Sequence, residues 1–208
     1  MNVVLFGAPG SGKGTQAPDL ATLINAKTIS LGDMLRDEVK ADSDLGKEVK
    51  SYMEKGLLVP DELVSKVIEE NIGSESFILD GFPRNVTQAK TLDEILQKKG
   101  VSLDKCIYFS VDEKTVVERL SKRRICKQCG KLYHLVNMPS KKEGICDVCG
   151  AELYQRKDDN PDVIKKRWEV FLKEGSKVVD YYKQQDKLLS VDARDHKDVV
   201  LERIKAQL

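Results

Sequence analysis

The sequence has no excess of charge of either sign, no long hydrophobic run and no internal repeat. Its 35 Lys and Arg stand against 34 Asp and Glu, a net charge of +1 over 208 residues, so no global basic field draws the chain to nucleic acid or to an anionic membrane. No apolar run approaches the roughly 18 residues that span a bilayer. The N-terminus shows no basic segment leading into a cleavable hydrophobic stretch. The expectation is a cytoplasmic chain that acts on a small molecule, with no nucleic-acid and no membrane partner. Without such a leader, the five cysteines are expected as thiolates or metal ligands rather than as disulfides. Histidine is scarce, and His134 and His196, each standing alone, are not assigned to metal. The length fits one well-buried domain with insertions and excludes two large ones.

What is present is an alternation. NVVLF (Asn2 to Phe6) is a short apolar run closed by Gly7 and reads as a buried parallel strand, and Lys13 to Ile24 continues as a helix. Runs of strand length recur at Phe77 to Leu79, Cys106 to Val111 and Leu188 to Val191, with helical patterns between them. This predicts an α/β fold, a parallel sheet flanked by helices on both faces. Two segments interrupt it. Leu31 to Val59 reads as two short charged helices, LGDMLRDEVKA and DLGKEVKSYMEKG, ending at Gly56. Arg123 to Asp159 is rich in Cys, Gly, Lys and Asp and has too few apolar residues for a core of its own. Both are expected as insertions mounted on the sheet.

GAPGSGKGT, following the first strand, almost fits the phosphate-loop pattern G-x-x-x-x-G-K-[ST]. Gly7, Gly12 and Lys13 match, but Gly14 stands where a hydroxyl residue should be and Thr15 comes one place late. A glycine-rich turn from strand to helix aims backbone N–H groups at one point, and the helix N-terminus adds partial positive charge. Gly10, Gly12 and Gly14 are expected to permit unusual dihedrals and close approach of the backbone to phosphate, and Lys13 to bring a point charge. Gly14 has no hydroxyl for magnesium, so the metal must be held by phosphate oxygens, water and a carboxylate. Asp80, at the carboxyl edge of the sheet, is the candidate. Further on, Cys126-x2-Cys129 and Cys146-x2-Cys149, each pair followed by Gly, form a four-thiolate zinc signature. Ligation with no open position implies a structural ion. Cys106, in an apolar strand, is expected to be an inert core residue.

The GKGT form of the loop, SLGDMLRDEV (Ser30 to Val39), LDGFPRNVTQA (Leu79 to Ala89) and YQRKDDNPDVIKKR (Tyr154 to Arg167) together resemble the signature segments of adenylate kinases. They come in the same order and at suitable spacings over nearly the whole chain. The resemblance is to the long-lid bacterial kind with a zinc-binding lid. It implies a P-loop NTPase-type core (1–29, 60–121 and 160–208), a helical NMP-binding segment (30–59) and a zinc-bearing lid (122–159). It also implies reversible phosphoryl transfer from Mg-ATP to AMP giving two ADP, with Mg2+ and structural Zn2+ as cofactors and a monomeric enzyme.

Residue by residue, the resemblance assigns Gly10, Ser11, Gly12, Lys13, Gly14 and Thr15 to the ATP phosphates, and Leu132, Tyr133 and the backbone of Val191 to Asp195 to the donor adenine. Arg36 and Arg84 are expected to clamp the acceptor phosphate, and Arg119, Arg123, Arg156 and Arg167 to surround the transferring group. Guanidinium forks suit phosphate geometry, and no base is required, because the acceptor oxygen is already anionic. Asp158 and Asp159 are expected to pair with basic groups on lid closure. The acceptor pocket is drawn from Leu31, Met53, Leu57, Leu58, Val59, Gly81, Phe82 and Pro83, with the Gln88 amide reading an adenine edge. Two places depart from the family pattern. Leu31 replaces the usual Thr or Ser, which leaves a UMP/CMP kinase as the alternative within this chemistry. Ala193 and Arg194 replace Gly-Thr at the donor-base loop. A zinc-ribbon nucleic-acid-binding protein is the alternative outside it, suggested by KRRICKQCG, but it leaves DGFPR without a role.

Overall fold

A computed structural model describes all 208 residues. In chain order the elements are β1 (Val3–Gly7), α1 (Lys13–Ile24), β2 (Lys27–Ser30), α2 (Leu31–Lys40), α3 (Asp44–Glu54), α4 (Asp61–Asn71), β3 (Phe77–Asp80), α5 (Val86–Lys98) and β4 (Lys105–Ser110). There follow α6 (Glu113–Ser121), β5 (Arg123–Cys126), β6 (Leu132–His134), β7 (Leu153–Tyr154), α7 (Pro161–Gln184), β8 (Leu188–Asp192) and α8 (Lys197–Lys205). A strand apolar on both faces belongs in the middle of a parallel sheet. β1 is such a strand, and it is the centre of five in the order β2-β3-β1-β4-β8, every pairing parallel.

Side chains alternate across β1 with the period of two that a strand imposes. Val4 and Phe6 join the larger core cluster, which continues through Leu79, Ile68, Leu92 and Tyr182 into α4, α5 and α7. Val3 and Leu5 face the other way, onto Ala17 and Leu20 of α1 and Val200 and Ile204 of α8. The expected parallel sheet between two helical layers is therefore the observed one. β2 has no counterpart in the sequence reading. It is an edge strand, KTIS, in which only Ile29 is buried, so no apolar run announces it.

Helices begin where side chains can accept a free N–H of the first turn. Ser30 caps α2 at Asp33, Ser43 caps α3 at Gly46, Asn85 caps α5 at Gln88 and Asn160 caps α7 at Val163. The pair α2 and α3 is mounted above the sheet, and its buried Leu31, Leu35 and Val49 belong to the larger core cluster. The two helices meet backbone to backbone: a Cβ at Gly46 would overlap the Glu38 carbonyl.

The second insert is a three-stranded antiparallel sheet in the order β6-β5-β7. Its buried cluster is Cys126, Tyr133 and Cys146, with Ala151 and Leu153 packed beside it. No helix is long and apolar enough to cross a membrane.

Candidate active site

The loop between β1 and α1 turns through Gly10 (φ 78°) and Gly12 (φ 104°), both in the left-handed region that favours glycine. Gly14 has no such dihedral, which corrects the expectation of unusual backbone there; what position 14 requires is space. A Cβ on Gly14 would lie 3.3 Å from Asp80 Oδ2, so the carboxylate takes the room a larger residue would fill. The N–H groups of Gly10, Gly12, Lys13 and Gly14 make no hydrogen bond within the chain and are free for an anion. Lys13 Nζ donates to the carbonyls of Gly7 (2.8 Å) and Ala8 (2.9 Å) and to Ser11 Oγ (3.3 Å), which lays the ammonium across the loop. Burial pushes its pKa down to about 8; Asp80 opposes the fall, and Arg84, Arg167 and Arg123 add to it.

Asp80 closes β3, directly across the sheet from the loop. Burial raises its carboxyl above the usual range, and Lys13 pulls it back. Around this pair five guanidinium groups arrive from separate elements. Arg84 leans back through Nε onto the Gly81 carbonyl at 2.8 Å. Arg36 pairs with Asp33 on the same face of α2. Arg123, opening β5, is held at both ends by Asp159, Nε at 2.8 Å and Nη2 at 2.6 Å, and the Asp159 side chain is fully buried. Arg167 of α7 donates to Asp158 Oδ2 at 2.9 Å. Arg156 reaches Asp33 at 3.3 Å, and its Nε is buried with no partner. Burial and the nearness of other guanidinium groups, offset in part by Asp158, hold Arg156 and Arg167 down at about 10. So many crowded cations in one place describe a site for polyanions.

All of these side chains except Asp159 line one cavity of about 1090 Å3, which runs from Asp195 and His196 across the phosphate loop to Met53 and Val59.

Comparison with known proteins leads to the same place. Residues 5–187 match the adenylate kinase family. An adenylate kinase of Thermosipho melanesiensis is 46% identical over 208 aligned residues, covering 98% of this chain and 97% of the relative. That of Caldicellulosiruptor bescii is 47% identical over 193, covering 91% and 90%. That of Bacillus licheniformis is 46% identical over 212, covering 100% and 98%. The chain belongs to the adenylate kinase family.

Against the family's pattern, the structure brings together most of the residues expected at the site. The loop residues Gly10 to Thr15, with Leu132, Tyr133, Arg119, Arg123 and Asp195, line the same cavity as Arg36, Met53, Leu57, Leu58, Val59, Gly81, Pro83, Arg84, Arg156 and Arg167. Three expected wall residues are interior instead. Leu31 and Phe82 are 2% and 0% exposed and belong to the larger core. The departure at position 31 therefore does not face the cavity, because the first residue of α2 points into the sheet. Gln88 is 1% exposed, and its amide is already engaged: Nε2 donates to Asp61 Oδ1 at 2.7 Å, and Oε1 accepts from the Arg84 N–H at 2.7 Å.

Arg119 lines the cavity at its donor end. It donates to the carbonyls of Ser11 (3.3 Å), Ala193 (2.8 Å) and Arg194 (2.8 Å), tying the donor-base loop to the phosphate loop. The Arg194 side chain is turned onto Asp192, Nε–Oδ1 2.9 Å and Nη2–Oδ2 2.6 Å. Asp33, Asp61 and His134 carry structure at the site and were missed in the sequence. His134 lines the cavity, and its Nδ1 accepts from the Val136 and Asn137 N–H groups, so the ring is neutral with its proton on Nε2. Burial depresses its pKa further.

The four knuckle cysteines converge. Their sulfurs all lie within 4.8 Å of one another, with Cys126 to Cys149 at 3.3 Å and Cys129 to Cys146 at 3.6 Å, and none is in a disulfide. Thiolates about 2.3 Å from a tetrahedral ion stand about 3.8 Å apart, so the cluster could hold a metal, and its donor set fits zinc. Cys106 is buried in β4, and burial alone pushes its thiol far up.

Proposed function

We propose the following division of labour for the transfer of the terminal phosphoryl group of Mg-ATP to AMP, giving two ADP. The observation that carries it is the convergence of Lys13, Asp80, Arg36, Arg84, Arg123, Arg156 and Arg167 on one cavity. The lobe under Leu132, Tyr133, Arg119 and Asp195 takes the donor nucleoside. The lobe lined by Met53, Leu57 to Val59, Gly81 and Pro83 takes the acceptor.

The phosphate loop and Lys13 hold the donor phosphates, Arg36 and Arg84 orient the acceptor phosphate, and Arg123, Arg156 and Arg167 spread over the group in flight. Phosphoryl transfer between phosphates needs alignment and neutralisation rather than a base. Magnesium, bound with ATP, supplies further neutralisation, and Asp80 beside the small Gly14 is the carboxylate that would hold it. Arg119 supports the donor loop instead of touching the transferred group. Gln88, held by Asp61, orients Arg84 through the Arg84 backbone N–H.

Segment 30–59 is the acceptor-binding insert and 122–159 the lid, with Asp158 and Asp159 fixing the lid arginines. The cysteine cluster holds zinc as a structural ion. A monomeric enzyme belongs to the same reading, as the family resemblance implies. It works in the cytoplasm, whose reducing conditions suit five unpaired cysteines. The balanced charge argues against a nucleic-acid partner.

A coupled assay with AMP, UMP, CMP and GMP as acceptors tests the reading. AMP as the preferred acceptor is the expected result, and a preference for UMP or CMP would replace the assignment with a pyrimidine nucleotide kinase.

A further inference from the structure

Tyr133 belongs to two places at once. On β6 it stands between Leu132 and His134, with which it lines the donor end of the cavity, while its ring, 5% exposed, turns to the opposite face of the strand, with Lys131 Nζ 5.6 Å from the ring centroid. Its hydroxyl lies at the far side of the strand, 3.4 Å from Cys146 Sγ and 2.7 Å from the Asp147 N–H. The direction of these two bonds follows from the groups themselves. The Asp147 amide can only donate, so the phenol oxygen accepts there, and its single proton is left for the sulfur. Tyr133, Cys126 and Cys146 are also the whole of the insert's buried cluster.

We propose that Tyr133 is a positioning residue that couples the cysteine cluster to the donor-nucleotide lobe, its hydroxyl supporting Cys146 as a metal ligand while its strand presents Leu132 and His134 to the nucleoside. The proposal rests on the reading of the cluster as a zinc site and of this lobe as the donor lobe. A donor beyond the ligands stabilises a thiolate on its metal and fixes its orientation. β6, which carries Tyr133, pairs with β5, which carries both Cys126 and the site residue Arg123. A metal that holds Cys146 therefore holds β6 through the Tyr133 hydroxyl, and a nucleotide that rests on Leu132 and His134 holds Tyr133 against Cys146. The coupling is reciprocal by thermodynamic necessity.

The test uses the zinc-loaded full-length enzyme, a zinc-selective chelator to follow metal release, and steady-state kinetics. Tyr133→Phe should release zinc on the order of 10-fold faster than wild type. Its KM for ATP should rise roughly 5-fold, with the KM for AMP held. Saturating Mg-ATP, but not AMP, should slow zinc release from the wild type and leave release from Tyr133→Phe unchanged. Protection by Mg-ATP is read on the wild type alone, so the test stands even where the variant folds poorly. Equal release rates from the two proteins, or wild-type release indifferent to Mg-ATP, would overturn the coupling and leave the zinc site in place. A wild-type enzyme purified from zinc-supplemented medium with no zinc bound would instead remove the zinc reading, and the proposal with it.

Discussion

The two inserts that flank the cavity are held by opposite means. The helical one, α2 and α3, has capped helix starts and sends Leu31, Leu35 and Val49 into the larger core cluster. Its stability is that of the domain. The cysteine-bearing one has its own small sheet and a buried cluster of three residues, two of them cysteines. So few buried groups cannot offset the entropy of ordering nearly 40 residues, and four convergent thiolates point to a metal as the missing contribution. Apolar burial ties an insert to the fold at all times, whereas a metal clip makes its order a separate equilibrium.

The largest effect should come from breaking the floor the inserts share. Lys13→Met removes the cation laid across the phosphate loop and should lower kcat by roughly a thousandfold. Circular dichroism and the melting temperature should stay near wild type, because Lys13 fills no core. Near-normal turnover in a folded sample would remove Lys13 from the site.

The next effect separates the inserts. Chelation of the metal, or Cys129→Ser with Cys149→Ser, should lower the midpoint for the cysteine-bearing insert by at least about 10 °C. It should also open protease sites between Lys127 and Glu152 while the rest stays protected. Activity well below that midpoint should fall only modestly. Complete loss of transfer with the insert still protected would mean the metal takes part in the chemistry.

The helical insert should respond in the other way. Leu35→Ala, at a position 3% exposed, should cost about 3 kcal/mol, roughly 8 °C in the melt. It should do so as one transition of the whole protein, indifferent to chelator. A separate early transition in this variant would show that α2 and α3 are a detachable unit too.

The smallest effect is one of pH. Lys13 is lowered to about 8 in the folded free enzyme, while the unfolded chain keeps that proton up to the ordinary lysine range. The unfolded state thus binds more protons between those limits, and this residue's contribution to stability rises with pH there. Over the same interval the site loses a cation, so kcat/KM for ATP should fall about tenfold per unit above pH 8. A flat profile to pH 10 would mean that Lys13 stays charged in the free enzyme.

What was legible in the sequence was what local chemistry dictates. NVVLF, the glycine turn and the helix after it follow from an apolar run and backbone freedom. The paired C-x2-C knuckles follow from ligand spacing. What was not legible depends on which way a side chain turns once the sheet is assembled. Leu31 begins a helix read correctly, yet nothing local says that its first residue faces the core. Gln88 was read as a free amide because Asp61, 27 positions earlier, is brought beside it only by the packing of α4 on α5. β2, an edge strand with one buried residue, has no pattern to show.

The carboxylates among the arginines have a consequence for turnover. Lys13, Arg36, Arg84, Arg123, Arg156 and Arg167 are six cations, but Asp33, Asp80, Asp158 and Asp159 stand among them. A site with the bare positive charge would grip any polyphosphate tightly, products included, and tight uniform binding does not raise the rate of the chemical step. With most of that charge answered from within, the guanidinium groups stay fixed in direction while their pull on a bound nucleotide is blunted. A reaction that must run in both directions has to let go of what it makes, and here the acids beside the arginines set how readily it does.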